Sequence, residues 1–367
     1  MKDFKPDITQ MVSPFLLIFI IHATQLGEGI LSFERQIAEV AGYDSWMSIP
    51  ITAVLTSIVI VMIWKIIGDE SVDLIDIHQT TFGKIIGNIL SFTFCVYFLA
   101  ISIIVIRSYI EIIQIWFFPD ISITLFLIVL FLLFLYICLG GFRIVVGFAF
   151  FSIFVTAFLA IFKYQAFIDG HFTNLLPVFI HPLTDILKAV EPMSFSFLGI
   201  ELILIYAPFI HRFQSGLKWA LSGNLLTSFV YLFSAIAIFM YYNELQIQYV
   251  SWPTLHLWKV ISIAFIERFE FIGISLHFIA IIATCAIYFW AGVQCFHRLT
   301  NLSFSGIGIA ATILGISSVF YIKNFLIIEK ATTLISKVGV YLMFVYIPLL
   351  FIIHKIVAGV RKKYAKS

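Results

Sequence analysis

The sequence predicts an all-α, polytopic membrane protein with about ten transmembrane helices, arranged as a five-plus-five inverted repeat in which helices one and six are interrupted. Three observations predict it. Of the 367 residues, 62% are hydrophobic and only 11% are charged, whereas soluble domains carry about 25% charged residues. Apolar segments recur at lengths of about 20 residues, which is enough to cross a bilayer. Two of them are broken by glycine, proline and acidic residues.

The ten apolar segments fill almost the whole chain, so we expect one transmembrane domain over residues 1–367 and no sizeable soluble domain. A window of about 19 residues gives the segments these bounds: 11–41, 46–67, 84–117, 121–141, 144–165, 186–211, 216–241, 270–296, 305–322 and 332–357. The connection 242–269 is rich in aromatic residues, which predicts an interfacial helix.

The charge distribution predicts that both termini are cytoplasmic. An even number of spans places the termini on one side, and the basic residues there favour the cytoplasm. With this topology, 13 of the 22 Lys and Arg residues are cytoplasmic, 7 are on the outer side and 2 lie within spans. The terminal basic residues are Lys2, Lys5, Arg361, Lys362, Lys363 and Lys366.

The first interruption is the pentapeptide Gln25-Leu26-Gly27-Glu28-Gly29 within the first span. Glycine weakens a helix, and a charge at mid-bilayer costs about 2.5–3.5 kcal/mol. One interpretation is an unwound stretch that faces a cavity and contacts a ligand, because irregular backbone at this depth must line water or be buried in protein. The alternative is close helix packing through small residues, with Glu28 paired to another span.

The second interruption lies at a matching place in the sixth span. Glu191-Pro192 opens this segment, the stretch from Ser194 to Gly199 interrupts it, and Glu201 and Pro208 follow. Two halves, about 11–165 and 186–357, would each hold five spans, and an odd number inverts the second half relative to the first. Many secondary transporters have this architecture and bind their substrate at the midplane. The alternative is a coincidence of glycine positions.

The other charges within spans are candidates for coupling or for structural ion pairs. Arg35 and Glu39 lie four residues apart, as do Arg107 and Glu111, so each pair shares a helix face. We expect Glu34, Arg35 and Glu39 near the outer interface, where long side chains reach water.

Several classes of function are disfavoured. The net charge of +2 gives no basic field for nucleic acid. Neither a phosphate-binding glycine loop nor a catalytic zinc or serine motif is found, so we expect no enzyme, no cofactor and no metal site. The cysteines Cys95, Cys138, Cys285 and Cys295 and the histidines His22 and His277 are interpreted as packing residues.

The first span also carries a resemblance to a known family. The run from Gln25 to Ser32, followed by Arg35 and Ala41-Gly42-Tyr43-Asp44-Ser45-Trp46, closely resembles the opening of the endospore germination permeases, the B subunits of nutrient germinant receptors. Later segments agree with that family over essentially the whole chain: Phe197-Leu198-Gly199-Ile200-Glu201, Pro208-Phe209, Trp252-Pro253-Thr254 and Glu267-Arg268-Phe269-Glu270.

The resemblance implies membership of the amino acid/polyamine/organocation transporter superfamily. It also implies a place in the spore inner membrane, with a larger A subunit and a lipoprotein C subunit as partners, where a small nutrient triggers germination. Two residues depart from the family pattern: Glu28, where an apolar residue is common, and Glu34, where proline is common. An acid within the break favours a cationic or hydroxyl-rich ligand.

Two functions follow as hypotheses. The first is a receptor that binds a nutrient (an amino acid, sugar or nucleoside) between spans one, three, six and eight and shifts the population of two conformations. The second is a secondary amino-acid permease coupled to protons or sodium. The candidate ligand-binding residues are Gln25, Gly27, Glu28, Gly29, Tyr97, Ser196, Gly199 and Thr284. The candidates for charge pairs or coupling are Arg35, Arg107, Glu111 and Glu201.

Overall fold

The computed structural model describes residues 6–68, 72–261, 267–322 and 324–364. These residues form α-helices joined by short 3₁₀ turns, and within them no β-strand is found. An isolated parallel bridge joins Val12, just before the first helix, to Ile210, just after the sixth span. The predicted all-α fold is thus confirmed.

The described helices correspond to the ten predicted segments only in part, because Phe33–Ile67 joins the end of the first predicted segment to the second and three of the apolar helices are short. Six helical stretches are long and apolar enough to cross a membrane: Phe33–Ile67, Lys84–Trp116, Phe142–Asp169, Phe213–Tyr241, Phe269–Thr300 and Phe325–Arg361. A seventh consists of Leu183–Phe195 and Ile200–Phe209, bent by 52° at a break. Three shorter apolar helices complete the set: Pro14–Gln25, Ile123–Leu139 and Phe304–Phe320.

The first half of the chain contains spans one to five. Its helices are α1 (Leu17–Gln25), α2 (Phe33–Ala41), α3 (Ser48–Ile67), α4 (Leu74–Phe82), α5 (Lys84–Trp116), α6 (Ile123–Leu139), α7 (Phe142–Ile161) and α8 (Tyr164–Asp169). The first span therefore consists of two helices, α1 and α2, separated by the predicted interruption. The helix α4 lies in the connection between the second and third spans.

The second half contains spans six to ten. Its helices are α9 (Leu183–Phe195), α10 (Ile203–Tyr206), α11 (Leu217–Tyr241), α12 (Glu244–Ile247), α13 (Pro253–Val260), α14 (Phe269–Thr300), α15 (Phe304–Ser317), α16 (Phe325–Tyr341) and α17 (Ile347–Tyr364). A π-helical turn, Leu342–Tyr346, joins α16 to α17. The sixth span is again two helical pieces, α9 and α10, with a break between them.

Local sequence explains where several helices begin. The side chains of Ser122, Ser303 and Asn324 accept a hydrogen bond from a backbone N–H in the first turn of α6, α15 and α16, respectively. A side-chain oxygen at this position replaces a hydrogen bond that the first turn of a helix lacks. These caps fix where the connections end and the spans begin.

The core is built around α14, which packs against α5 and α7. Alanines at positions 280, 283, 286 and 291 are buried along it, and small side chains allow neighbouring helices to approach closely in a membrane protein. The helix α1 packs against α11, α7 and α14. The interrupted first span is consequently enclosed by other spans over much of its surface.

The aromatic connection contains a helix, as predicted, and its position at the membrane interface stays a prediction. Its helix α13 packs against α11 and α14, with Leu255, Leu257 and Trp258 buried. The proline at its start and the apolar side chains bring it onto the bundle, where they bury against protein. Residues 262–266 of this connection lie outside the described residues.

Two predictions stay predictions. The terminal residues Lys2, Lys5 and Lys366, which carry part of the topology argument, lie outside the described residues, as do the side chains of Lys362 and Lys363. The half-repeat boundaries, about 11–165 and 186–357, are likewise untested.

Candidate ligand site

The first span is interrupted where the sequence predicts it. The helix α1 ends at Gln25, a 3₁₀ turn runs over Glu28–Leu31, and α2 begins at Phe33. The absence of a side chain at Gly29 is required by packing, because a Cβ atom there would lie 2.8 Å from Ser196 Oγ in the other break. Glycine therefore permits the close approach of the two interruptions.

The second break lies directly against the first. Gly199 has a φ of +115°, a conformation that residues with a side chain rarely adopt, and a Cβ atom there would lie 2.6 Å from Thr24 Oγ1. The Gln25 amide donates hydrogen bonds to Phe197 O (3.3 Å) and to Asn224 Oδ1 (3.0 Å). The two interruptions thus form one junction within the bundle.

A cavity of about 410 Å³ opens at this junction. Its wall is formed by the first break and α2, by α5, by the end of α9 and the second break, by α14 and by α16. The volume lies in the range of pockets that enclose small organic molecules, about 300–1,000 Å³. The junction therefore has room for a ligand.

Most of the predicted ligand-binding residues line this cavity. They are Gln25, Gly27, Glu28, Gly29, Ser196 and Thr284. Tyr97 and Gly199 do not line the cavity. Both donate a hydrogen bond to the carboxylate of Glu201. The structure places the residues; their role in binding stays a prediction.

Glu28 is the acidic residue of the first break. Its side chain is half-buried on the cavity wall, and Ser108 Oγ of α5 donates a hydrogen bond to Glu28 Oε1 at 2.6 Å. Within the described part of the chain, no salt bridge joins Glu28 to a basic side chain. The alternative in which Glu28 is paired to a cation on another span is not what the structure shows.

Glu201 forms a second polar cluster next to the cavity. Tyr97 and Tyr288 each donate a hydrogen bond to Glu201 Oε1, at 3.1 and 3.0 Å, and the Gly199 N–H donates to Glu201 Oε2 at 2.8 Å. The side chain is fully buried. Tyr288 also lines the cavity, so it connects Glu201 to the candidate site.

The two predicted i,i+4 ion pairs are present. Arg107 Nη1 lies 3.0 Å from Glu111 Oε2, and Arg35 Nε lies 2.6 Å from Glu39 Oε1. Arg107 is buried, whereas Arg35 and Glu39 are 34% and 45% exposed. Glu39 also lines the cavity, at its end farther from the break. A role of these pairs in coupling is untested.

Glu34 was expected to reach water near the outer interface, but its side chain is buried within the protein. Glu34 is fully buried, and its Oε1 accepts hydrogen bonds from Ser234 (2.6 Å) and Thr254 (3.0 Å). Lys163 Nζ lies 3.7 Å from the same oxygen and donates to Ser234 and Thr254. Lys163, one of the seven cations counted on the outer side, forms a buried ion pair with Glu34.

Sequence reasoning missed the contribution of the tenth span. Thr332, Thr333 and Ser336 of α16 line the cavity. Hydroxyl residues four positions apart within an apolar segment were the available signal, since i and i+4 share a helix face. Ser108, which donates a hydrogen bond to Glu28, directly follows Arg107 in the third span and carries no comparable signal.

The cysteines and histidines are buried packing residues, with one unexpected approach. Cys95 and Cys295 lie with their Sγ atoms 2.7 Å apart, as free thiols on α5 and α14. His22 Nδ1 is 2.9 Å from Thr227 Oγ1. Among the described residues, no group of three His, Cys, Asp or Glu side chains could hold a metal ion.

The fold is shared with secondary transporters. Mhp1, a nucleobase-cation-symport-1 family transporter solved in a closed conformation with bromovinylhydantoin bound, aligns with a TM-score of 0.61 at 11% identity, over 90% of this chain and 77% of that one. A Na⁺-coupled sialic acid symporter in a substrate-bound outward-open state aligns with a TM-score of 0.57, over 94% and 77%. The fold and the junction of two broken helices define a multi-pass membrane protein whose fold is shared with these transporters.

Within this class the family is shown by sequence. The family model described as spore germination protein matches residues 11–330, and the chain belongs to this family. It is 32% identical to spore germination protein GerQB of Bacillus cereus, over 94% of this chain and 96% of the relative. It is 24% identical to spore germination protein A2 of Bacillus subtilis (strain 168), over 80% and 81%.

Proposed function

We propose that this protein is the membrane subunit of a spore nutrient germinant receptor, which binds a small nutrient in the cavity between the two breaks and thereby triggers germination. The observation that carries the proposal is the cavity itself, at the junction where the Gly27–Gly29 stretch meets the second break. A family of germination proteins with a transporter fold supports the same function.

The proposed signal is a shift between two arrangements of the half-repeats. A ligand shifts such an equilibrium only by its difference in affinity for the two states. A ligand in this cavity would contact α2, α5, α9, α14 and α16 together, so a change in their relative positions would change its contacts. That arrangement supplies the difference in affinity.

The partners and the location belong to the same proposal. We propose that the protein works in the spore inner membrane, with both termini cytoplasmic, together with an A subunit and a lipoprotein C subunit. The described residues form spans and short connections without a separate soluble domain that could pass the signal on, which favours partners for that step.

Gene deletion with complementation tests the receptor role. Spores of the deletion strain would be scored for germination on single amino acids, sugars and nucleosides. The same assay would be repeated on spores of deletion strains that carry the wild-type, Gly27→Leu or Gly147→Leu gene. A Cβ atom at Gly27 would lie 3.8 Å from Thr284, so a leucine side chain there occupies the cavity. Gly147 is exposed on α7, with nothing within 4 Å of its Cβ position, and is the matched control.

The proposal predicts loss of response to one nutrient class in the deletion strain, restored by wild type and by Gly147→Leu. Gly27→Leu protein at an equal level would not restore it. Full restoration by Gly27→Leu at the ordinary nutrient concentration would contradict binding at the junction.

A secondary permease is the second candidate, and the likeness of the fold to cation-coupled symporters favours it. Uptake of radiolabelled amino acid by purified protein in liposomes, driven by a proton or sodium gradient, separates the two. Uptake together with an unchanged germination response in the deletion strain would support the permease.

A further inference from the structure

We infer that the cavity takes a small ligand that is rich in hydrogen-bond donors and lacks a free carboxylate: a neutral polyhydroxyl compound or an amine-bearing cation. The inference rests on the proposed function, because it names the ligand class of the same site. It depends on the sign of the charges in the wall and on which hydrogen-bonding groups are already occupied.

The charge of the wall is negative. Glu28 and Glu39 line the cavity, and among the described lining residues there is no lysine, arginine or histidine. Glu39 is paired with Arg35, whereas Glu28 has only the hydroxyl of Ser108. A ligand carboxylate would lie beside this unpaired carboxylate. A helix end contributes only about half an elementary charge, which is less than the full charge of Glu28.

Three hydroxyl groups near the breaks have already used their protons. Thr24 Oγ1 donates to Ile21 O at 2.9 Å, and Thr284 Oγ1 donates to Ala23 O at 2.7 Å. Tyr288 donates to Glu201 at 3.0 Å. A hydroxyl group carries one proton and two acceptor lone pairs, so each of these groups offers only acceptor capacity to a ligand.

Gln25 adds a further acceptor. Both of its hydrogen bonds use the amide nitrogen, and its Oε1 is buried without a partner within the described structure. A buried acceptor left unsatisfied costs free energy, and a ligand donor would remove that cost where the Gln25 side chain turns its Oε1 toward the cavity. Together with Glu28, the wall near the breaks therefore presents acceptors to its ligand.

Two kinds of compound supply the matching donors. Neighbouring hydroxyl groups can both donate to a carboxylate, as ribose hydroxyls do in dinucleotide-binding proteins. A protonated amine donates and also neutralises the charge. A carboxylate only accepts hydrogen bonds, so it cannot donate to Glu28 or to the acceptor oxygens described above.

Binding to the purified full-length protein in nanodiscs distinguishes these compounds. The probes are D-ribose and myo-inositol as polyols, L-alaninamide and ethanolamine as cations, and L-alanine and L-lactate as carboxylates, each followed by calorimetry and by the thermal midpoint. The variants are Glu28→Gln and the control Glu191→Gln, which changes an exposed acid just before the cavity residue Pro192.

We expect at least one polyol or one amine to bind more tightly than both carboxylates. For an amine ligand, L-alaninamide should have a higher affinity than L-alanine. Glu28→Gln should weaken an amine about tenfold or more, since a hydrogen bond to a charged group is lost, and should weaken a polyol less. Glu191→Gln should leave both unchanged.

A panel in which no polyol or amine binds more tightly than the carboxylates would overturn the inference. So would polyol or amine binding that Glu28→Gln leaves unchanged. Failure of the receptor role is a separate result: donor-rich ligands would bind as inferred, while spores lacking the gene would germinate normally. Conversely, L-alanine could bind tightly while spores lacking the gene fail to germinate. That result would support the receptor role and contradict the inferred ligand class.

Discussion

Two carboxylates of the first span, Glu28 and Glu34, lie six residues apart but in different surroundings. Glu34 is sealed in protein, with Lys163 Nζ at 3.7 Å and hydrogen bonds from Ser234 and Thr254. Glu28 faces a cavity of about 410 Å³, and its single hydrogen bond comes from Ser108. Glu34 has a cationic partner within the protein, although its Oε2 has no hydrogen-bond partner in the described structure, and Glu28 has no cationic partner.

The difference teaches how to separate structural from functional charges in a membrane protein. A charge within the bilayer is costly unless it is paired, so a completed pair explains its own presence. An acid that has no cationic partner and borders a cavity has an explanation only if something enters that cavity. By this criterion we assign Glu34 a structural role, connecting α2 to α11 and α13, and we propose a ligand-binding role for Glu28.

The largest expected effect comes from removing the cation that pairs with Glu34. Lys163→Met leaves Glu34 buried without a cation and should lower the free energy of unfolding by about 3–5 kcal/mol. The measurement is thermal and denaturant-induced unfolding of the purified protein in detergent. The double variant Glu34→Gln/Lys163→Met removes both charges and should recover most of the loss. A double variant as unstable as the single one would show that the charges are not coupled.

A smaller effect is expected at Glu201, where tyrosines take the place of a cation. Tyr97→Phe removes a hydrogen bond to this carboxylate and should cost about 1.5–3 kcal/mol. Tyr206 is the matched control, because it is buried nearby but its hydroxyl has no hydrogen-bond partner in the described structure. Tyr206→Phe should be close to neutral in the same unfolding experiment. Equal losses for both variants would indicate that packing, not the hydrogen bond, is measured.

The substitution Ser108→Ala tests the proposed ligand-binding role of Glu28. It removes the hydrogen bond that holds Glu28, so the nutrient concentration for half-maximal germination should rise several-fold. Stability should fall by about 0.5–1.5 kcal/mol, because Glu28 can turn toward the cavity and its water. A stability loss as large as that of Lys163→Met, with an unchanged nutrient requirement, would place Glu28 with Glu34 as a structural acid.

The smallest effect is expected for the exposed pair on the same helix. Arg35 and Glu39 are 34% and 45% exposed, and surface pairs of this kind contribute about 0–1 kcal/mol. Arg35→Gln should therefore change stability little, and any effect should shrink as salt is added. A loss of several kcal/mol would show that exposure does not separate these charges.

The sequence predicted the parts of this account that are local. Glycines on both sides of Glu28 and the Ser196–Gly199 stretch mark the two breaks, and helical spacing gives the Arg107–Glu111 pair. Such signals depend on neighbours within a few residues. The fold class and the position of the junction follow from them, because an inverted repeat brings two matching breaks together.

The partners of Glu34 could not be predicted in this way. Glu34 and Arg35 are adjacent in sequence, which suggested one interfacial cluster, but consecutive residues point about 100° apart around a helix. Arg35 is partly exposed, while Glu34 points to Ser234 and Thr254 on α11 and α13. Those contacts depend on how distant segments pack. The same holds for Thr332 and Ser336, whose place in the cavity depends on the packing of α16.

Germination of spores that carry Glu28→Gln or Glu34→Gln as the only copy tests the central distinction most directly. The measurements are the nutrient concentration for half-maximal germination and the amount of the protein in the spore membrane. The account predicts that Glu28→Gln is present at the wild-type level and needs more nutrient. Glu34→Gln, which leaves Lys163 without its carboxylate, should be present at a lower level with an unchanged nutrient requirement. The reverse pattern, a low level of Glu28→Gln and a raised nutrient requirement for Glu34→Gln, would contradict it.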